Sequence, residues 1–294
     1  MVNGKQKGRS KQRKADLQGR DMELLQELER WGVLGLGQID GLVFHKELSE
    51  GGRARLFFNE YSGKLYRLSG YKRLQDLKQS GHVAAHFYRD FPMVFTLASR
   101  GHQALKRAKL ARLPGFRRTA SGQLVEHEVM VNAVGLVLSK LHGLTVRTIR
   151  ERAPWNSRGG WSHTTSAANI PDLWISDDQE PKALEVELTK KAENRYPDIW
   201  ETYRVRRRDS RALVLYLTNW PSGPAFIRRQ AARLGMPFIH VCDLAEFRAS
   251  AGRCAFTNHE GRSLRLAPAL TAPVLSASMP RAETPNLETV GGAA

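Results

Sequence analysis

Apolar residues recur at helical spacing in Leu24, Leu25, Leu28 and Trp31, behind an Asp21 that can cap the run, and predict an amphipathic helix. Ile39, Leu42 and Val43 predict a short second helix over 36–44, after a Gly-rich turn. Residues 45–67 carry no clear period. Residues 69–81 read as a helix with a capping Ser, Leu74 and Leu77 turned to a core, and a Gly terminator. Its outer face carries Tyr71, Lys72, Arg73, Gln75 and Lys78. Residues 82–88 and 93–97 alternate as two strands around Arg89-Asp90-Phe91-Pro92, and 101–108 closes the unit as a helix.

The second half changes rhythm. Residues 125–138 are almost continuously apolar, interrupted by His127 and Glu128, and predict a buried helix. A strand is expected at 144–150, then a Gly- and Ser-rich loop to Ala168, long enough to wall a site. Residues 173–175 and 183–188 predict a strand hairpin. A helix over 195–208 turns Tyr196, Ile199, Trp200 and Tyr203 inward and ends in arginines that complement its dipole. Residues 212–217 form an unbroken apolar run, as in a strand covered on both faces, and a helix at 224–234 leads to a last strand at 237–241. The expected fold is α/β, or α+β taken over the whole chain. Its parts are a basic arm at 1–18, a first domain at 19–108, a basic linker at 109–123, a second domain at 124–262 and a disordered tail at 263–294.

Composition adds a partner to this outline. Lys and Arg number 46 against 29 Asp and Glu, leaving +17 over 294 residues, an excess that favours a polyanion such as DNA. Six of those cations lie between Lys5 and Lys14, with little apolar material to pack. The two cysteines, Cys242 and Cys254, match no zinc-ligand spacing and point to a reducing cytoplasmic setting. No apolar run is long enough to span a membrane, and the N-terminus lacks a signal-peptide core, so no membrane partner is expected.

The candidate chemistry sits in the strand hairpin. Side chains alternate faces along a strand, so Glu185 and Glu187 share one face, and pairing brings Asp172 beside them. Converging carboxylates are costly unless a divalent cation neutralises them. Pro171-Asp172, a turn, then Glu185-Val186-Glu187 with lysine behind resembles the PD-(D/E)xK nuclease core. That resemblance implies that Asp172 and Glu185 hold Mg²⁺ or Mn²⁺. It also implies that Glu187, standing where the motif has lysine, is a further ligand or a general base, and that Lys190 is a displaced lysine. His127 or Glu128 would complete the site from the helix. A tyrosine nucleophile, Tyr196 or Tyr203, is the weaker alternative, since helix packing explains both.

The first domain's order of helix, helix, polar-faced helix and hairpin is similar to a winged helix-turn-helix, with 69–80 as recognition helix and Arg89 in the wing. The second domain's order matches the αβββαβ core of restriction-endonuclease-like proteins. Together, over 21–247, the two resemble the replication-relaxation family, whose members are associated with plasmids and integrative elements and include proteins similar to mobilisation relaxases. The resemblance implies a protein that recognises an origin-like DNA site and nicks or processes DNA by metal-dependent hydrolysis, alongside other mobilisation or replication proteins. The alternative is a catalytically inactive initiator or transcriptional regulator on a degenerate nuclease fold.

Overall fold

The computed structural model describes residues 16–58, 69–88, 91–115, 122–152, 170–176, 181–210 and 213–267. Helix α1 (Gly19–Trp31) buries Leu24, Leu25, Leu28 and Trp31, the face the spacing predicts. Asp21 closes its first turn by accepting the Gln18 N–H at 2.7 Å, and Gly32 ends it at a φ of 79° that side chains rarely adopt. Next come β1 (Val33–Gly35), α2 (Leu36–Ile39) continued by a π turn (Asp40–Phe44), and α3 (Glu50–Phe57). Then follow α4 (Ser69–Gln79), β2 (Val83–Tyr88), β3 (Phe91–Leu97) and α5 (Ser99–Arg107). The three strands form one antiparallel sheet in the order β1-β3-β2. The sequence pattern foretells neither β1 nor α3. Three residues are too few for alternation to register, and α3 opens with Glu50-Gly51-Gly52, two of them poor helix formers.

The rest builds a second sheet. Its elements are α6 (Gly122–Leu136) with a π turn (Val137–Leu141), β4 (Thr145–Thr148), α7 (Ile149–Arg152), β5 (Leu173–Ser176), β6 (Lys182–Glu187), α8 (Arg195–Ser210) and β7 (Leu213–Thr218). These are followed by α9 (Gly223–Arg233), β8 (Ile239–Asp243), α10 (Leu244–Ala249), β9 (Ala255–Thr257) and β10 (Ser263–Arg265). Seven strands lie in the order β10-β9-β8-β7-β6-β5-β4. Strands β4, β5 and β6 are antiparallel neighbours, whereas β6, β7 and β8 run parallel. The strand expected over 144–150 stops at Thr148, whose N–H is taken by Glu151 Oε2 at 2.7 Å as the chain turns into α7. Nor does the tail begin at 263. Ser263, Leu264 and Arg265 pair with Thr257, Phe256 and Ala255, and Leu264 packs on the core.

Both faces of the central strands are covered. Leu184, Val186, Leu215 and Leu217 join one apolar cluster with α1, α6 and the first sheet, while Ala183, Val214 and Tyr216 join another with Tyr196, Trp200, Tyr203 and Phe226 of α8 and α9. Each fully buried Leu of this kind contributes roughly 2 kcal/mol. Helix α6 lies between the two sheets and is apolar nearly all round, as a helix buried on both sides must be. Gln38 Nε2 donates to Val129 O at 2.7 Å, and Asn132 Nδ2 donates to Val33 O at 2.6 Å, tying α6 to the first sheet. Gly135 faces the Trp31 indole so closely that an added Cβ would lie 2.5 Å from it. One continuous core therefore runs from Leu24 to Phe256. Part of the expected linker is also fastened down, since the Arg112 N–H donates to Glu29 Oε2 at 2.8 Å.

Cys242 and Cys254 are free and buried. Among the described residues no helix is long and apolar enough to cross a membrane. The basic arm up to residue 15, Arg89, the loop at 153–169 and the chain beyond 267 lie outside the described residues.

Candidate functional site

Strands β5 and β6 part at Pro171, and the site begins there. The register pairs Leu173 with Leu184, so Asp172 stands across from Glu185 and Pro171 across from Val186. Proline has no N–H, so it cannot continue the ladder, and Val186 must find other partners. Asp172 Oδ2 accepts the Val186 N–H at 2.8 Å, and His127 Nε2 on α6 donates to Val186 O at 2.9 Å. The same His127 nitrogen lies 3.3 Å from Asp172 Oδ2. Carboxylate and imidazole together thus complete a strand that the proline interrupts.

Charge then accumulates at one point. Burial alone would lower the His127 pKa, but the hydrogen bond and charge of Asp172, helped by Val186 O and Glu185, raise it to about 9. Glu185 has its pKa pushed up to about 8, first by burial and then by the negative charge of Asp172. Two effects oppose that rise: a hydrogen bond from Tyr203 and the charge of Lys191.

Helix α8 reaches this face of β6 with residues spaced at 196, 200 and 203. The Tyr203 hydroxyl donates to Glu185 Oε1, and the Tyr196 hydroxyl donates to Glu187 Oε2 at 2.7 Å. Between them Trp200 Nε1 donates to the Tyr216 hydroxyl at 2.9 Å. Burial and the neighbouring carboxylates push the Tyr196 and Tyr203 phenols up, so each acts as a donor and is unsuited to be the nucleophile.

The proposed lysine is placed differently. Lys190 pairs with Glu193 at 3.3 Å, with its ammonium 4.2 Å from the centre of the Phe226 ring, away from the carboxylates. Lys191 is the one that salt-bridges Glu187. Glu187 is therefore buried with a cation on one oxygen and a phenol on the other, which removes it as a ready metal ligand or general base. Glu128 follows His127 on α6 and is half-buried. The structure thus brings Asp172, Glu185 and His127 together, with Glu187 alongside but already engaged.

Among the described residues no three His, Cys, Asp or Glu side chains are arranged to hold a metal ion. Mg²⁺, however, is usually held by one or two carboxylates, with water and phosphate completing its shell. Asp172 Oδ1 and Glu185 Oε2 carry no hydrogen bond among the described residues, and Asp172 raises the cost of ionising Glu185. Two carboxylates at adjoining strand positions, whose mutual repulsion a cation would relieve, fit such an ion.

The outward face of α4 is a second candidate surface. Tyr71, Lys72 and Lys78 are exposed, Tyr71 by 42%, and Gln75 is half-buried. The Lys78 ammonium lies 5.6 Å from the ring of Phe87, which is 70% exposed on β2. Arg73 does not belong to this face. Its Nε and Nη2 grip Asp21 Oδ1 and Oδ2 at 2.9 and 2.5 Å, and Nη2 also donates to Asp16 O at 2.7 Å. It docks α4 onto α1, a use that sequence alone hides because the partner is 52 residues away.

Sequence reasoning also missed Lys191 and the two phenols as partners of the carboxylates. The available signals were the four-residue step from Glu187 to Lys191 and the seven-residue step from Tyr196 to Tyr203. No protein-family model matches the chain, and neither a curated protein nor a solved structure matches it. Over the described residues the chain is a mixed α/β arrangement of two sheets, with a carboxylate pair at the strand ends of the larger one.

Proposed function

We propose that this chain binds DNA and cuts it by metal-dependent phosphodiester hydrolysis, as a replication or mobilisation protein of a plasmid or integrative element. The observation that carries the reading is the facing of Asp172 and Glu185 across β5 and β6, each with an oxygen to offer. The run α6-β4-α7-β5-β6-α8-β7 supports it, being similar in order to the PD-(D/E)xK core with the one-turn α7 inserted, as does the β1-β3-β2 sheet behind α4, similar to a winged helix-turn-helix.

Asp172 and Glu185 would hold Mg²⁺ or Mn²⁺, which when bound polarises the scissile phosphate and acidifies a water. His127 keeps Asp172 in place through their ion pair, and Tyr203 does the same for Glu185 by hydrogen bonding. Lys191 brings the local positive charge that the motif assigns to lysine, in place of Lys190. Tyr71, Lys72, Gln75 and Lys78 would meet the duplex, with the net charge of +17 supplying sequence-independent affinity.

The test is conversion of supercoiled plasmid carrying the protein's own neighbouring DNA to open circle, with Mg²⁺ or Mn²⁺. Nicking by the wild type, lost in Asp172→Ala and Glu185→Ala, is the expected result. A folded wild type that shifts that DNA without nicking it overturns the hydrolytic reading.

One observation favours the second reading, a non-cutting initiator or regulator. Asp172 and His127 already have structural work in completing the hydrogen bonds of Val186, and Glu187 is neutralised by Lys191. On that reading both alanine variants bind DNA as the wild type does once folded.

A further inference from the structure

Two carboxylates on one face of β6 are each met by a phenol from α8, and the two pairs differ in one respect. Glu187 has Tyr196 on one oxygen and Lys191 on the other, so neither is left to offer. Glu185 has Tyr203 on Oε1, and no hydrogen bond reaches Oε2 among the described residues. Tyr203 is itself held: it is buried at 3% exposure in the cluster with Trp200, whose indole N–H is fixed to the Tyr216 hydroxyl at 2.9 Å. A carboxylate with one oxygen pinned by an immobile donor has a single direction left for the other.

We propose that Tyr203 is a positioning residue that fixes Glu185 so that Oε2, together with Asp172 Oδ1, is presented to a divalent cation, whereas Tyr196 serves packing and the closed Glu187–Lys191 pair. The inference rests on the metal-site reading above. It assigns to α8 the task of aiming one ligand, and makes Tyr196 and Tyr203 chemically alike but functionally distinct. Loss of the Tyr203 hydroxyl leaves Glu185 able to turn, and the cation then has to order it on binding.

The test is Mn²⁺ binding to the full chain, read by the electron paramagnetic resonance signal of free Mn²⁺, with thermal unfolding measured alongside. Tyr203→Phe is expected to weaken Mn²⁺ about tenfold, the usual scale for removing a group that orients a ligand. Tyr196→Phe is expected to leave affinity unchanged although it removes the same hydroxyl, which separates aiming from general loss of packing. Replacing Tyr203 by 4-aminophenylalanine keeps an N–H donor at the reach of the phenol, serves if Tyr203→Phe does not fold, and is expected to restore most of the affinity. Wild-type affinity in Tyr203→Phe, with binding abolished in Glu185→Gln, overturns the positioning role and leaves the metal site standing. Equal weakening in Tyr196→Phe and Tyr203→Phe also overturns it. A wild type that binds no Mn²⁺ overturns both readings.

Discussion

Asp21 and Asp172 are chemically alike and end up with opposite fates. Each accepts a backbone N–H, from Gln18 at 2.7 Å and from Val186 at 2.8 Å, and each faces a cation from a different element. At Asp21 the guanidinium of Arg73 covers both carboxylate oxygens, and although burial works against ionisation, these bonds hold the carboxyl below its usual range. At Asp172 the imidazole of His127 reaches one oxygen, and Glu185 stands opposite with a second carboxyl. A planar fork closes an aspartate, whereas a single ring nitrogen leaves half of it open. A buried ion pair becomes a candidate site when its cation is too small to finish the job and a like charge stands beside it.

The largest expected effect breaks the closed pair. Arg73→Ala leaves Asp21 buried without its counter-ion and is expected to cost about 3 kcal/mol in chemical denaturation. Its DNA affinity, once folded, is expected to match the wild type; a stable variant that loses DNA binding would show instead that Arg73 contacts the duplex. A smaller effect breaks the open pair. Asp172→Ala strands the Val186 N–H and is expected to cost about 1–2 kcal/mol, with Asp172→Asn, which keeps an acceptor, costing less than about 1 kcal/mol. The comparison is sharpened if both remove nicking although only one removes much stability.

The smallest effect is a pH profile. Glu185 and His127 both hold their protons more tightly in the folded chain than in the unfolded one, where about 4.5 and 6.5 apply. Their contributions are complete below those unfolded values and are lost as pH rises, for Glu185 up to about 8 and for His127 up to about 9. The melting temperature is therefore expected to fall from pH 7 towards 9, above the range in which His82 and His102, whose protonation burial disfavours, work the other way, and Glu185→Gln is expected to flatten the part below 8. A wild-type profile that rises over this range would contradict the charge arrangement at the strand ends.

Alternation and helical period carried much of this architecture. The apolar positions of α1, α4 and β7 are the buried ones, and Glu185 and Glu187 do share a face of β6. What the pattern could not carry were short or distant relations. Strands β1, β9 and β10 have three residues each, too few to show a period. The role of Pro171 appears only once its opposite number, Val186, is known. Arg73 and Lys72 look equivalent on a helix face until α1 is in place, and Lys190 and Lys191 are told apart by the turn of the chain after β6.

The contact of Gly135 with Trp31 reaches beyond packing. An indole from the first half rests on a helix turn of the second so closely that an added methyl group would collide with it. Gene exchange that swapped either half for a distant counterpart would have to deliver a matching glycine or a smaller ring in the same event. The two halves are thus matched parts: replacing either one alone by an unmatched counterpart would set a side chain against the ring at this contact.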